Sequence, residues 1–212
     1  EWPYTPGDST HPITTVMQWD SYQSPVYNGV RYGQKAASFA PFIDLPSALP
    51  DYSFELAVGS SLTPRELLAE KGWSVRDPLP LTMDPWTYQK YLQGSAMEFS
   101  VAKEGYVVSS SGWFSERSAG YLATGRPVIT QETGFSTHIP CGRGLYSFND
   151  ADEAISAIET VMADYEKNSK ATREIVVEYF DADKILNNIL NKIFSTSTTS
   201  EISNSSELKK DT

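Results

Sequence analysis

The sequence of 212 residues contains little cysteine, little histidine and no cluster of basic residues. One cysteine, Cys141, excludes an internal disulfide and offers no metal-binding cluster. No apolar run is long enough to span a bilayer. The formal net charge is -10, so the surface should repel the phosphates of nucleic acid. We therefore expect a protein of a reducing, cytoplasmic compartment, with no membrane span, no nucleic-acid partner, no bound metal and no cofactor.

The common catalytic motifs are also missing. The sequence has no HExxH, no GxSxG, no Walker Gly-x4-Gly-Lys and no CxxC. Its length suffices for one α/β domain with a full core and tails. We expect an irregular lead-in or linker remnant at 1–12, one domain at 13–194 and a disordered tail at 195–212. Glu1 stands where an initiator Met would, so the start of this sequence need not be the start of the gene.

Strand and helix patterns alternate along most of the chain. β-favouring segments lie at 14–19, 54–58, 73–75, 99–102, 128–130 and 144–148, and helical patterns separate them. Thr63 before Pro64 and Asp84 before Pro85 are typical helix starts. This alternation predicts an α/β fold, a Rossmann-like parallel sheet with helices on both faces. Asn28-Gly29 between β-favouring residues predicts a small β-hairpin insertion near residues 26–32.

The segment from Ser110 to Gly134 reads as a loop, a helix, a stop and a buried strand. Ser115 is placed to cap the helix, and Gly125 suits the left-handed conformation that ends it. A helix that begins at the carboxyl end of a strand, after a loop with Gly and Ser, favours an anion at its N-terminus. Phosphate is the anion we expect there, and a purely structural helix cap is the alternative.

The run 115–129, SERSAGYLATGRPVI, followed by Glu132-Thr133-Gly134, resembles the donor-binding segment of GT-B glycosyltransferases. Their pattern is a Gly/Phe-rich loop, a Glu-Ala-Met-Ala-like helix, Gly-x-Pro-Val-Ile and a Thr-Gly or Gly-Gly turn. More weakly, the resemblance covers 14–194, which implies the C-terminal, nucleotide-sugar-binding half of such an enzyme. Where many retaining members carry a Glu that holds the donor ribose, this chain has Gly120, and Glu116 lies one helical turn earlier.

The resemblance implies two groups of binding residues. Contacts to the donor diphosphate and nucleotide are expected from the signature loop, the first helical turn and two basic residues near the first helix: Ser111, Gly112, Trp113, Phe114, Ser115, Glu116, Arg117, Arg31 and Lys35. Contacts to the donor sugar are expected from the turn after the following strand: Glu132, Gly134 and Phe135. An Arg paired with a carboxylate, a solvated lysine and an ordinary turn are the corresponding alternatives, and no catalytic residue is assigned.

Two functions follow from this interpretation. The first is the donor-binding half of a metal-independent glycosyltransferase, with the acceptor-binding N-terminal domain absent from the chain. An Asp181-Ala182-Asp183 sequence spells the metal-binding Asp-x-Asp of other glycosyltransferases, but here Asp181 is better explained as a helix N-cap. The second function is a non-catalytic Rossmann-like module for interaction or oligomerisation, derived from such an enzyme and consistent with Gly120.

Overall fold

The computed structural model describes the backbone of residues 2–207 and the side chains of residues 2–195. The chain divides into two compact units, Glu1–Ile175 and Val176–Thr212. The first unit contains every strand of the described chain. The predicted tail at 195–212 begins inside the helix Ala182–Glu207. Residues 208–212 of that prediction lie outside the described part of the chain.

A six-stranded, wholly parallel sheet forms the first unit. Its spatial order is β5-β4-β1-β6-β7-β8, which is 3-2-1-4-5-6 when these six strands are numbered along the chain, the doubly wound order of dinucleotide-binding folds. The predicted α/β class is therefore confirmed. The strands are β1 Ile13–Gln18, β4 Phe54–Gly59, β5 Trp73–Arg76, β6 Met97–Ser100, β7 Val128–Gln131 and β8 Leu145–Phe148, with β2 Val26–Tyr27 and β3 Val30–Arg31 in a separate hairpin.

Helices cover both faces of the sheet. Side chains of α1, α2, α3 and α8 join one large apolar core, whereas α5 and α7 pack against each other and α7 packs against β6 and β7. The helices are α1 Lys35–Phe39, α2 Leu45–Ala48, α3 Arg65–Glu70, α4 Leu79–Thr82, α5 Pro85–Gln93, α6 Glu104–Val108, α7 Glu116–Ala123, α8 Ala151–Ala163, α9 Tyr165–Tyr179 and α10 Ala182–Glu207, with 3-10 turns at Ala40–Phe42 and Phe135–Thr137.

Most of the predicted helix starts are present. Asp84 accepts hydrogen bonds from the first-turn N–H groups of α5, and Asp181 accepts one from the N–H of Lys184 at 2.9 Å. One predicted cap is wrong: α3 begins at Arg65, and Thr63 donates its hydroxyl to the carbonyl of Gly59 instead. The competing backbone acceptor lies four residues earlier, where Thr and Ser hydroxyls often bond.

The predicted hairpin is confirmed. Strands β2 and β3 are antiparallel, and Asn28 and Gly29 both have positive φ, 49° and 78°, as a tight two-residue turn requires. All four residues of its strands are exposed. The hairpin therefore projects from the domain between β1 and α1.

Residues 2–12, the lead-in, form no helix or strand, but they pack against the domain. Trp2 meets Tyr88 of α5 edge to face, with ring centroids 5.8 Å apart. Arg126, only 3% exposed, donates to the carbonyl and the hydroxyl of Thr5 at 2.9 and 2.7 Å. The lead-in thus fastens to the segment that precedes β7.

Candidate functional site

A pocket of about 380 Å³ opens at the carboxyl ends of β1, β6 and β7. The order of the sheet reverses between β1 and β6, and in doubly wound folds ligands bind in the crevice at this reversal. The last residues of the three strands, the segments after β1 and β6, and the first turn of α7 line the pocket. The sequence-based expectation and the pocket therefore point to the same edge of the sheet.

The N-terminus of α7 forms one wall. Ser115 has extended backbone dihedrals and accepts a hydrogen bond from the N–H of Arg117 at 3.3 Å, so it is the helix cap that the sequence predicts. Trp113, Ser115, Glu116 and Arg117 all line the pocket. The first-turn N–H groups and the helix dipole give this wall a partial positive charge.

The other residues of the predicted phosphate-binding loop make contacts within the protein. The N–H of Gly112 donates to the carbonyl of Thr133 at 2.7 Å, and the hydroxyl of Thr133 donates to the carbonyl of Trp113 at 2.6 Å. Ser111 accepts from the N–H of Trp113, and the ring of Phe114 packs on a neighbouring aromatic ring. Ser111, Gly112 and Phe114 thus hold the loop in place and lie outside the pocket lining.

Arg117 turns its guanidinium toward the sheet. It pairs with Glu98 of β6 at 2.5 Å, donates to the carbonyl of Val16 at 2.8 Å and donates to the hydroxyl of Ser100. The Glu98 side chain is fully buried and that of Arg117 is 13% exposed. Burial disfavours the charged guanidinium, but the carboxylate of Glu98 outweighs this and raises the pKa of Arg117. Arg117 therefore lines the pocket, but the buried carboxylate of Glu98 already balances its positive charge.

Lys35 is the second of the predicted basic residues that the structure brings to the pocket. It is the first residue of α1, is half-buried and lines the pocket. Burial, and next the charge of Arg117, hold the pKa of Lys35 well below its usual value. An anion in the pocket would oppose both effects and favour the ammonium form.

Arg31 lies outside the pocket. It belongs to β3, where it pairs with Val26 across the hairpin, and its side chain is exposed. The hairpin carries this residue away from the edge of the sheet, while Lys35, four residues later, returns to it. Of the two predicted basic residues, Lys35 therefore lies at the pocket and Arg31 does not.

The predicted donor-sugar residues form a turn closed by its own hydrogen bonds. Glu132 accepts from the N–H groups of Thr133 and Gly134 at 3.0 and 2.6 Å. Burial opposes ionisation of Glu132, but hydrogen bonds from Ser136 and Gly134 outweigh it and lower the pKa. Phe135 is buried. Glu132, Gly134 and Phe135 lie outside the pocket lining, and their contact with a sugar stays a prediction.

Lys103, Tyr106 and Gln131 are among the pocket residues that the sequence analysis did not identify. The ring of Tyr106 stacks on Trp113, with centroids 5.1 Å apart and planes at 28°. The Lys103 ammonium lies 4.1 Å from the centre of the Tyr22 ring. All three follow or end a predicted strand, so the rule that ligands meet the carboxyl ends of strands could have found them.

Gly120 packs against side chains of α5 and the lead-in. A Cβ at this position would lie 3.3 Å from Leu92 of α5 and 3.3 Å from Trp2. A larger residue there would therefore require these two side chains to shift. Glu116, in contrast, lines the pocket.

Two further classes of site are absent from the part of the chain that the structure describes. Among these residues, no group of three or more His, Cys, Asp or Glu side chains is placed to hold a metal ion. None of the described helices combines the length and the apolar character that crossing a membrane requires.

No family model matches the sequence, and no curated protein is similar to it in sequence. Solved structures are similar in fold. TarM superimposes with a TM-score of 0.56 at 13% identity, over 90% of this chain and 37% of TarM. An S. aureus TarM variant in complex with fondaparinux, alpha-GlcNAc-glycerol and UDP gives a TM-score of 0.55 at 14% identity, over 89% of this chain and 36% of that one.

The C-terminal domain of LpcC from Francisella tularensis, a glycosyl transferase group 1 family protein, gives a TM-score of 0.54 at 13% identity. The match covers 85% of this chain and 97% of that domain. The chain thus spans little more than a third of TarM but nearly all of an isolated C-terminal domain. It has the Rossmann-like fold of the C-terminal domain of GT-B glycosyltransferases.

Proposed function

We propose that this chain is the donor-binding half of a glycosyltransferase and binds a nucleotide-diphosphate sugar in the pocket at the sheet reversal. The observation that carries this proposal is the convergence of the α7 N-terminus and Lys35 on one pocket. A diphosphate is the anion that suits a helix terminus beside a cation. Expectation from the sequence and similarity in fold support the same ligand class.

The chemistry would be electrostatic. In glycosyl transfer the bond between the anomeric carbon and the diphosphate oxygen breaks, both electrons leave with the diphosphate, and an acceptor hydroxyl replaces it and loses its proton. The α7 N-terminus and Lys35 would stabilise the departing diphosphate. Arg117 contributes less because Glu98 balances its charge. With these groups supplying the positive field, we propose that transfer requires no metal.

An acceptor-binding N-terminal domain would complete the enzyme. This proposal follows from coverage, because the chain matches nearly all of the LpcC C-terminal domain but only 37% of TarM. The acceptor site and any group that removes the acceptor proton would belong to that other domain. The chain alone would then bind donor without transferring it.

Calorimetric titration tests donor binding. UDP-, GDP- and ADP-sugars are titrated into the protein in buffer with EDTA, and we expect one nucleotide class to bind. Lys35→Met should weaken that binding at least tenfold, since charge-assisted hydrogen bonds contribute about 1.5–3 kcal/mol. Lys90→Met, which removes an exposed lysine of α5, is the matched control. Absence of binding by every sugar nucleotide at millimolar concentration would refute the proposal.

A second candidate is a non-catalytic interaction module. The observation that favours it is Gly120, which is packed under Trp2 and Leu92 where a ribose-binding glutamate would be expected. Leu79, Met83 and Trp86 also expose apolar side chains near one another in sequence. Light scattering separates the two functions, because a donor domain should remain monomeric while such a module should self-associate.

A further inference from the structure

Gln131 presents a hydrogen-bond donor of fixed orientation to the pocket. It ends β7, is 8% exposed and lines the pocket. Its side-chain oxygen accepts a hydrogen bond from the N–H of Ala102 at 3.2 Å. A backbone N–H can only donate, so the amide oxygen must face Ala102 and the NH2 group must point elsewhere. Because Gln131 also lines the pocket, its NH2 group is the part of the side chain left to donate to a ligand there.

Gln131 and Lys35 belong to different sides of the pocket. Lys35 follows β1, whereas Gln131 ends β7, and β6 lies between these two strands. A neutral amide donates well to a neutral oxygen such as a hydroxyl. It adds little to anion binding beside a lysine and a helix terminus.

An aromatic surface adjoins this donor. Tyr106 and Trp113 stack on each other, and Trp113 is 45% exposed at the pocket. An exposed aromatic face packs against apolar surface, and a few fixed polar groups then set the orientation of a ligand. A sugar ring needs both, because it has a face of C–H groups and an edge of hydroxyls.

We propose, on the basis of the proposed donor binding, that Gln131 and the stacked pair Tyr106 and Trp113 form the subsite for the sugar ring of the ligand. Gln131 donates to a ring hydroxyl, and Trp113 covers one face of the ring. This subsite differs from the turn at Glu132, Gly134 and Phe135 that the sequence indicates. It determines how much tighter a nucleotide sugar binds than the nucleoside diphosphate alone.

The experiment compares two probes that differ only in the sugar. Affinities for UDP and UDP-glucose are measured by calorimetry, with GDP and GDP-mannose in parallel. The readout is the affinity for the nucleotide sugar divided by the affinity for the corresponding nucleoside diphosphate. Gln131→Glu keeps an oxygen for the Ala102 N–H but removes the donor. Repulsion between the new carboxylate and the diphosphate affects both probes and largely cancels in the ratio. We expect the advantage of the nucleotide sugar to fall about tenfold.

Trp113→Leu should reduce the same ratio by removing the aromatic face. Gln23→Glu, which adds the same charge on an exposed loop, should leave the ratio as in the parent protein. An unchanged ratio in Gln131→Glu, with nucleotides still bound, would overturn the sugar subsite and leave the proposed function standing. If the parent protein binds no UDP-, GDP- or ADP-sugar, the proposed function itself fails, and the subsite with it.

Discussion

The two faces of the central sheet differ in chemistry, although the same strands supply both. Phe99 of β6 joins an apolar core in which aromatic rings pack on one another, including a stacked contact with Phe148 at 5.3 Å. Its neighbours Glu98 and Ser100 point to the other face, where both bond to Arg117 of α7. One strand thus serves stability on one side and the orientation of α7 on the other.

The polar face is more extensive than the pair of Glu98 and Arg117. Thr14 donates to Ser95 at 2.6 Å, which leaves its oxygen to accept from the hydroxyl of Tyr121, also at 2.6 Å. Burial raises the pKa of Tyr121 well above its usual value, so the hydroxyl stays protonated. Hydrogen bonds under α7 fix its position relative to the sheet, and hence the position of the pocket wall.

The largest effect is expected on the apolar face. Phe99→Ala removes a fully buried ring from the core and should reduce the free energy of unfolding by about 3–5 kcal/mol. Urea unfolding monitored by circular dichroism measures this. Phe99→Leu, which keeps most of the volume, should lose much less. Equal losses in the two variants would show that the core does not depend on the packing of this ring.

The next effect tests the ion pair on the polar face. Glu98→Gln keeps the shape but leaves the Arg117 guanidinium without its buried counter-charge, at a cost of about 3 kcal/mol. The double variant Glu98→Leu with Arg117→Leu should regain much of that stability, because no unpaired charge remains. The double variant should nevertheless bind nucleotide more weakly than the parent. A double variant as unstable as the single one would contradict the assignment of the loss to an unpaired charge.

A smaller effect is expected at Tyr121. Tyr121→Phe removes the hydroxyl that donates to Thr14 and should cost about 1 kcal/mol of unfolding free energy. Packing should be preserved because the ring remains. Denaturant unfolding of the Tyr121→Phe, Thr14→Val and double variants gives the coupling between the two side chains. Additive losses would mean that the hydrogen bond contributes nothing to the polar face.

The last effect is a pH dependence at Lys35. Its pKa in the folded protein lies below the ordinary 10.5, so between these two values the unfolded chain holds a proton that the folded chain lacks. The free energy of unfolding should therefore rise with pH between the two pKa values. Below both values, the folded protein bears the full cost of keeping Lys35 charged where it is buried. Lys35→Met should be more stable than the parent at neutral pH. In this variant, the rise of stability with pH that Lys35 causes should be absent. Urea unfolding at neutral and alkaline pH measures both, and parallel pH profiles would refute the assignment.

The sequence predicts the fold well because its signals are local. Alternating apolar segments, the caps at Asp84 and Ser115 and the stop at Gly125, where φ is 90°, each depend on a few neighbouring residues. The site could be predicted in part for the same reason. Trp113, Ser115, Glu116, Arg117 and Lys35 reach the pocket because carboxyl ends of parallel strands share one edge.

What could not be predicted depends on partners distant along the chain. Glu98 lies 19 residues before Arg117, and a buried acid in a strand has no hydropathy signal. Gln131 is oriented by Ala102, which lies on the neighbouring strand's loop. Arg31 shares its segment with Lys35, but the hairpin directs it outward. The direction of these side chains became apparent only with the register of the strands.

The packed lead-in sets a limit on how this protein can be shortened. A version that starts at β1 would remove Thr5, and Nη1 of the enclosed Arg126 would lose two of its three acceptors and keep the carbonyl of Thr124. The carbonyl oxygen of Thr5 also packs against Gly125, at 2.6 Å from where a Cβ would lie, and this contact would be lost as well. Residues 2–12 thus pack on the turn between α7 and β7, so we expect their removal to destabilise the helix whose first turn lines the pocket.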